Sequence, residues 1–229
     1  MTRVALIHTG AVVIAPITTQ ARAALPDATL FNYLDDRIVA DLGDDEHAAS
    51  VPDRLVHLAE AARLAGAEVV MLTCSSISGY AGDTAARAGI PVLRIDEAMA
   101  DEAVAIGPRI AVIATLGTTL TPTVALLRER AALAEMTPAL TEEVVDGAFA
   151  AVSAGDRPLH DRLVGDAIRR LAAGADVVVL AQASMASAAT TVDVGVPVLT
   201  SIVPGIARLA EHLAQGSRTP GPMDAGDAS

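Results

Sequence analysis

Three blocks of this chain occur twice, in the same order and at nearly the same spacing. Arg3-Val4-Ala5-Leu6-Ile7-His8-Thr9 is echoed by Arg109-Ile110-Ala111-Val112-Ile113-Ala114-Thr115, 106 residues further on. The segment from Gly66 to Ser76 (GAEVVMLTCSS) is echoed by that from Gly174 to Ser184 (GADVVVLAQAS), 108 residues on. Gly89-Ile90-Pro91-Val92-Leu93 returns as Gly195-Val196-Pro197-Val198-Leu199, again displaced by 106. A period this long in two copies is not a solenoid. It describes two copies of one unit, and two like units bury their ends most simply by facing each other across a cleft. The expected division is an N-terminal lobe over 1–105, a C-terminal lobe over 106–215, and a tail over 216–229. That tail is rich in Gly, Pro, Ser and Asp, has no periodicity, and reads as disordered.

Within each copy, short β-type runs alternate with Ala-rich stretches of helical period. Strands are expected near 3–8, 29–33, 68–73, 91–95, 109–114, 139–145, 176–181 and 197–200. Helices are expected near 14–25, 51–65, 79–88, 97–106, 120–133, 157–173, 186–194 and 204–215. Runs such as Val69-Val70-Met71-Leu72 and Val177-Val178-Val179-Leu180 are apolar throughout, which suits strands covered on both faces. The fold class is therefore α/β: two pseudo-symmetric lobes, each a short parallel sheet flanked by helices, joined by right-handed βαβ crossovers, with the active-site cleft between them.

Composition narrows the function. The net charge is −12, from 16 basic and 28 acidic residues, the wrong sign for a surface that grips nucleic-acid phosphates or anionic lipid. Only four aromatic residues are present (Phe31, Tyr33, Tyr80 and Phe149), too few to stack single-stranded bases. No apolar run is long enough to span a membrane and the N-terminus lacks a signal-peptide pattern, so the expected compartment is cytoplasmic. With one cysteine, Cys74, the chain can form neither an internal disulfide nor a zinc site needing two thiolates. All the basic residues are arginine, which excludes a Schiff-base lysine and ordinary pyridoxal-phosphate catalysis. His8-Thr9-Gly10-Ala11-Val12-Val13 lacks the glycine spacing of a dinucleotide fingerprint. Asp35-Asp36 and Asp44-Asp45-Glu46 read as solvated loops rather than a metal site.

Ligands of open parallel sheets sit beyond the carboxyl ends of the strands. Here those ends are His8-Thr9-Gly10, Thr73-Cys74-Ser75-Ser76, Thr115-Leu116-Gly117-Thr118-Thr119 and Ala181-Gln182-Ala183-Ser184, small and polar in an apolar chain. Cys74 is the candidate catalytic residue, although a lone cysteine also serves as a small buried hydrophobe. Ser75, Ser76 and the N–H groups after them suit a carboxylate or a developing oxyanion. Thr9, Thr115 and Thr118 offer hydroxyls for the same purpose, or as helix caps. His8 is read either as a substrate partner or as a neutral histidine orienting a loop. His47, His57, His160 and His212 are given no role. The repeat sets Gln182, with Ser184 beside it, where the first copy has Cys74.

The Met71–Ser76 segment, the Ala114–Thr119 loop and the Val179–Met185 segment, set in duplicated halves, resemble the aspartate/glutamate/hydantoin racemase superfamily. The likeness extends over nearly the whole chain except the tail. It implies a cofactor-independent enzyme that moves a proton at the α-carbon of a small carboxylic acid between two thiols. The superfamily also includes maleate isomerases and arylmalonate decarboxylases. The first family cysteine falls on Cys74 and the carboxylate-binding threonines on Thr115 and Thr118. The second cysteine falls on Gln182, whose amide cannot shuttle a proton near pH 7. Three functions follow: a racemase-type isomerase with Cys74 as its proton-transfer group, a decarboxylase or lyase of malonate-type acids with Cys74 as sole proton donor, and a non-catalytic binding protein for small carboxylates. The partner is thus a small carboxylate. Homo-oligomers are common in such folds, but the sequence carries no interface signature.

Overall fold

The computed structural model describes residues 1–216. Its strands are β1 (Arg3–His8), β2 (Thr29–Leu34), β3 (Val69–Leu72), β4 (Val92–Arg94), β5 (Arg109–Ala114), β6 (Ala139–Val144), β7 (Val177–Leu180) and β8 (Val198–Leu199). They form two parallel sheets with the orders β2-β1-β3-β4 and β6-β5-β7-β8, one topology built twice. The register repeats as well: Arg3 lies beside Thr29 and His8 beside Leu34, as Arg109 lies beside Ala139 and Ala114 beside Val144. The helices are α1 (Ile14–Ala24), α2 (Ile38–Asp41), α3 (Val51–Leu64), α4 (Ser75–Ser78), α5 (Ala81–Ala88), α6 (Glu97–Ile106), α7 (Gly117–Leu133), α8 (Ala148–Ser153), α9 (Arg157–Ala172), α10 (Ala186–Ala189) and α11 (Ile202–Gly216).

Successive side chains of a strand point to opposite faces, so an apolar central strand needs cover on both. Ala5 and Ile7 of β1, with Val70 and Leu72 of β3, pack on α3 through Leu55, Val56, Ala59 and Ala62. Val4, Leu6, Val69 and Met71 face the other way, onto Ile17 and Ala21 of α1. The same face also takes Ile202, Ile206 and Leu209 of α11, which belongs to the second half of the sequence. Reciprocally, Met99, Ala100, Ala103 and Val104 of α6 pack on Ile110, Val112, Val177 and Val179 of the second sheet, beside α7. Each half thus lends its last helix to the other half's sheet. The boundary expected at 105/106 marks the sequence repeat, whereas the packing divides the chain before α6 and returns α11 to the first sheet.

Polar contacts follow the same crossing. Glu97 and Asp101 of α6 pair with Arg130 of α7 and Arg208 of α11. Gly205 sits where α11 meets the loop after β4: a Cβ there would lie 2.2 Å from the Ile95 carbonyl oxygen.

Some local expectations need correction. The helix expected over 79–88 is α5, which starts two residues later, after the separate short helix α4 and the turn at Gly79-Tyr80. The helix expected over 186–194 ends at Ala189, and Thr190 and Thr191 turn their hydroxyls back on Ser187 and Ala188 carbonyls. The short helices α2 and α8 were not anticipated, being too brief to show a period. Gly216, expected to open the disordered tail, is instead the last residue of α11, and 217–229 lie outside the described residues. Among the described residues no helix is long and apolar enough to cross a membrane.

Candidate active site

Four strands end alike at the cleft. Gly10, Cys74, Leu116 and Gln182 are all extended (for Cys74 φ −131°, ψ 127°; for Gln182 φ −125°, ψ 138°), and each precedes a helical turn. In each turn a backbone N–H three residues on returns to that residue's carbonyl: Val13 to Gly10, Ile77 to Cys74, Thr119 to Leu116 and Met185 to Gln182. The N–H groups of the first turn have no acceptor within their own helix. The first two such groups of α7, on Gly117 and Thr118, begin a helix of 17 residues whose dipole favours an anion.

These turns enclose one cavity of about 730 Å³, within the range of small-molecule sites. Among the expected site residues, Thr9, Cys74, Ser75, Ser76, Thr118, Gln182 and Ser184 line it. Ser76 and Thr119 join the two lobes through a hydroxyl–hydroxyl hydrogen bond of 2.9 Å. Cys74 is partly exposed, and its side chain caps nothing. Thr73 anchors it from behind: the Thr73 hydroxyl donates to the Ile7 carbonyl at 2.9 Å.

Thr115 and His8 stand behind the lining. The N–H and the hydroxyl of Thr115 both donate to Gln182 Oε1, at 2.6 and 2.9 Å. This fixes the amide and leaves its NH₂ as the free end, so Gln182 is a donor rather than an acceptor toward the cavity. His8 is fully buried, with Nδ1 2.8 Å from the Thr73 hydroxyl and Nε2 2.9 Å from the Asn32 amide. Burial holds the imidazole below its ordinary range despite the opposing Asn32 bond. Nε2 faces Asn32 Oδ1, which also accepts from the Thr18 hydroxyl at 3.1 Å. The neutral ring therefore carries its hydrogen at Nε2 and leaves Nδ1 as an acceptor beside the Thr73 hydroxyl, whose hydrogen it shares with the Ile7 carbonyl. His8 is thus buried outside the cavity lining.

Other charged groups act as supports. Asp35, read from sequence as part of a solvated loop, instead pairs with Arg54, which also holds Asp41 at the end of α2. The guanidinium of Arg54 keeps the Asp41 carboxyl below its usual range. His160 is buried in α9, its Nδ1 2.7 Å from Asp161, which accepts from Ser187 at 2.8 Å. Beside them Arg157 donates to the Ser184 carbonyl at 2.6 Å and so braces the Gln182–Ser184 turn. Asp96, wholly buried after β4, has its carboxyl pushed up by loss of solvation, against the pull of Arg94. Among the described residues no group of three His, Cys, Asp or Glu is placed to hold a metal ion.

Sequence reasoning missed Thr119, Asp36, Val39 and Phe149, all in the lining. Thr119 adjoins a residue that was singled out. Phe149 and Val39 lie on α8 and α2, which hold corresponding places in the two lobes but have no detectable repeat.

A model of the Asp/Glu/hydantoin racemase family matches residues 6–209. No curated protein matches the chain. Among solved structures, the allantoin racemase of Klebsiella pneumoniae superposes with a TM-score of 0.71 at 20% identity, covering 98% of this chain and 92% of that one. The glutamate racemase of Francisella tularensis subsp. tularensis, in complex with D-glutamate, gives 0.74 at 15% identity, covering 96% and 85%. Arylmalonate decarboxylase gives 0.60 at 20% identity, covering 96% of each chain. At these identities the likeness establishes the fold.

Proposed function

We propose a function from one premise, that this chain belongs to the Asp/Glu/hydantoin racemase family. It is a cofactor-independent enzyme of the isomerase type, acting at the α-carbon of a small carboxylic acid, an amino acid or a derivative of one. Cys74 is its only proton-transfer group. The observation that carries this reading is the pair of equivalent strand ends in one cavity, a thiol at Cys74 and an amide at Gln182.

The substrate carboxylate sits at the start of α7, where the N–H groups of Gly117 and Thr118 and the hydroxyls of Thr118 and Thr119 are donors. Cys74, as a thiolate, takes the α-proton; the electron pair left behind moves into the carboxylate as an enediolate, whose added charge these donors stabilise. Gln182 approaches from the other lobe with its NH₂ free to orient a water or a substrate oxygen. A proton returned from Cys74 restores the original configuration; one given by a water beside Gln182 inverts it. The hydroxide so formed is neutralised by the proton that Cys74 releases to solvent, which restores the thiolate.

The amide also favours a second reading, a cofactor-free decarboxylase or lyase of malonate-type acids. There the C–C bond breaks, CO₂ departs, and Cys74 donates its proton to the enediolate carbon. One acid suffices, and solvent then restores the thiol. A solvent-deuterium NMR assay over a panel of α-amino and α-substituted acids, run beside CO₂ release from substituted malonates, separates the two. Exchange at the α-carbon, abolished by Cys74→Ala, supports the isomerase; CO₂ release abolished by the same variant supports the lyase. If neither reaction occurs and Cys74→Ala still binds a small carboxylate, the protein is a carboxylate-binding module and the catalytic reading fails.

A further inference from the structure

The two walls of the cavity carry opposite chemistry at equivalent places. With the repeat offset of 106 residues, Thr118 and Thr119 of the second lobe correspond to Val12 and Val13 of the first, and all four line the cavity. Hydroxyls and helix-terminal N–H groups thus mark one pole, and branched hydrocarbon marks its mate. Val39 of α2 extends the apolar side on the first lobe, and Phe149 of α8, 40% exposed, lines the cavity from the corresponding place on the second. One charged side chain stands in this lining among the described residues, the carboxylate of Asp36. Its neighbours are committed elsewhere: Asp35 pairs with Arg54, and Arg37 turns to Asp41. Asp36 itself has no ion pair among the described residues.

Resting on the carboxylate-enzyme reading above, the geometry points to a substrate with an apolar substituent at the end away from its reacting carbon, a distal carboxylate there being disfavoured by Asp36. The carboxylate binds at the Thr118 pole and the substituent lies against Val12, Val13 and Val39. A distal anion would have to leave water for hydrocarbon and approach a like charge, and both effects oppose it. This separates the chain from an enzyme of aspartate- or glutamate-like acids, whose second carboxylate lies at the far end, and leaves the geminal carboxylates of a malonate unaffected.

The test uses hexanoate and glutarate, two acids of similar length that differ at the far end, with binding measured by calorimetry. Wild-type protein should bind hexanoate about tenfold more tightly than glutarate, and Asp36→Asn should narrow the ratio to about threefold. Thr118→Val should weaken both acids alike, as expected for the shared carboxylate site. Equal or tighter glutarate binding, a ratio unmoved by Asp36→Asn, or failure of both acids to bind would each overturn the inference. Binding selectivity is read without turnover. Absence of exchange and of CO₂ release therefore counts against the catalytic reading alone, and glutarate preference against the selectivity alone.

Discussion

Replacing Gly205 by alanine sets two physical effects against each other with opposite signs. Gly205 is the fourth residue of α11, and alanine favours a helix over glycine by about 1 kcal/mol. Local propensity alone therefore predicts a more stable protein. The crossing of α11 onto the first sheet predicts the reverse, because the new Cβ would meet the Ile95 carbonyl oxygen at 2.2 Å, where ordinary contact begins near 3.4 Å. Backbone stands on both sides, so the helix must retreat by roughly 1 Å, a gap that forfeits a quarter to a half of each dispersion contact across it. Ile202, Ile206 and Leu209 make those contacts with Val4, Leu6, Val69 and Met71. With each of the three side chains worth ~2 kcal/mol, the loss is roughly 1.5–3 kcal/mol, or about 0.5–2 kcal/mol net of the propensity gain. For a chain of this size that lowers Tm by roughly 1–8 °C. Gly82, inside α5 with nothing within 4 Å of its added Cβ, is the matched control, and Gly82→Ala should raise Tm. Differential scanning calorimetry of both variants decides the matter. A Gly205→Ala protein as stable as the parent, or more so, would refute the close crossing of α11 over the first lobe.

Three further outcomes are expected. Thr115→Val removes the hydroxyl that holds Gln182 Oε1 and should lower the α-exchange rate by about threefold to tenfold, the worth of one hydrogen bond, with Tm little changed. Asp96→Asn should stabilise the protein at pH 8: burial raises the native carboxyl's pKa, so its favourable contribution is present at acid pH and is lost as pH rises through the native value. Urea melts from pH 4 to 8 should show a steeper fall with rising pH in the parent than in the variant. For His8 the direction is opposite. Its native pKa lies below the ordinary 6.5, so the unfolded chain binds the proton first and stability falls as pH drops below 6.5. His8→Asn should lose less stability than the parent between pH 7.5 and 5.5, as read by the same melts.

Much of the fold was legible because the two strand-rich blocks are apolar without interruption, and such strands fit only a parallel sheet with helices on both faces. The strand ends were legible for the same reason: Thr73-Cys74-Ser75-Ser76 and Ala181-Gln182-Ala183-Ser184 break an apolar run with small polar residues at equivalent places. His8 and Thr115 belong to those ends too, yet they stand one layer behind the lining. Side-chain direction at the last residues of a strand depends on the turn that follows, and residue type does not reveal it. Phe149 and Val39 were missed because α8 and α2 are too short for periodicity to register.

The sequence by itself determined that there are two like units, that the cleft between their strand ends carries one thiol, and that its equivalent in the other unit is an amide. It also determined that α6 and α11 must each bury an apolar stripe, since Met99, Ala100, Ala103 and Val104 in the one, and Ile206, Leu209 and Leu213 in the other, recur at helical spacing. Which sheet receives each stripe is a question of shape, and only the tertiary structure decided it. The hydrophobic effect that drives such burial is non-directional, and either sheet would satisfy it. The near-contact of Gly205 with Ile95, and the pairing of Glu97 and Asp101 with Arg130 and Arg208, resolve that ambiguity in favour of the exchange. The orientation of Gln182 was decided in the same way, by two donors of Thr115 that lie 67 residues away in sequence and beside it in space.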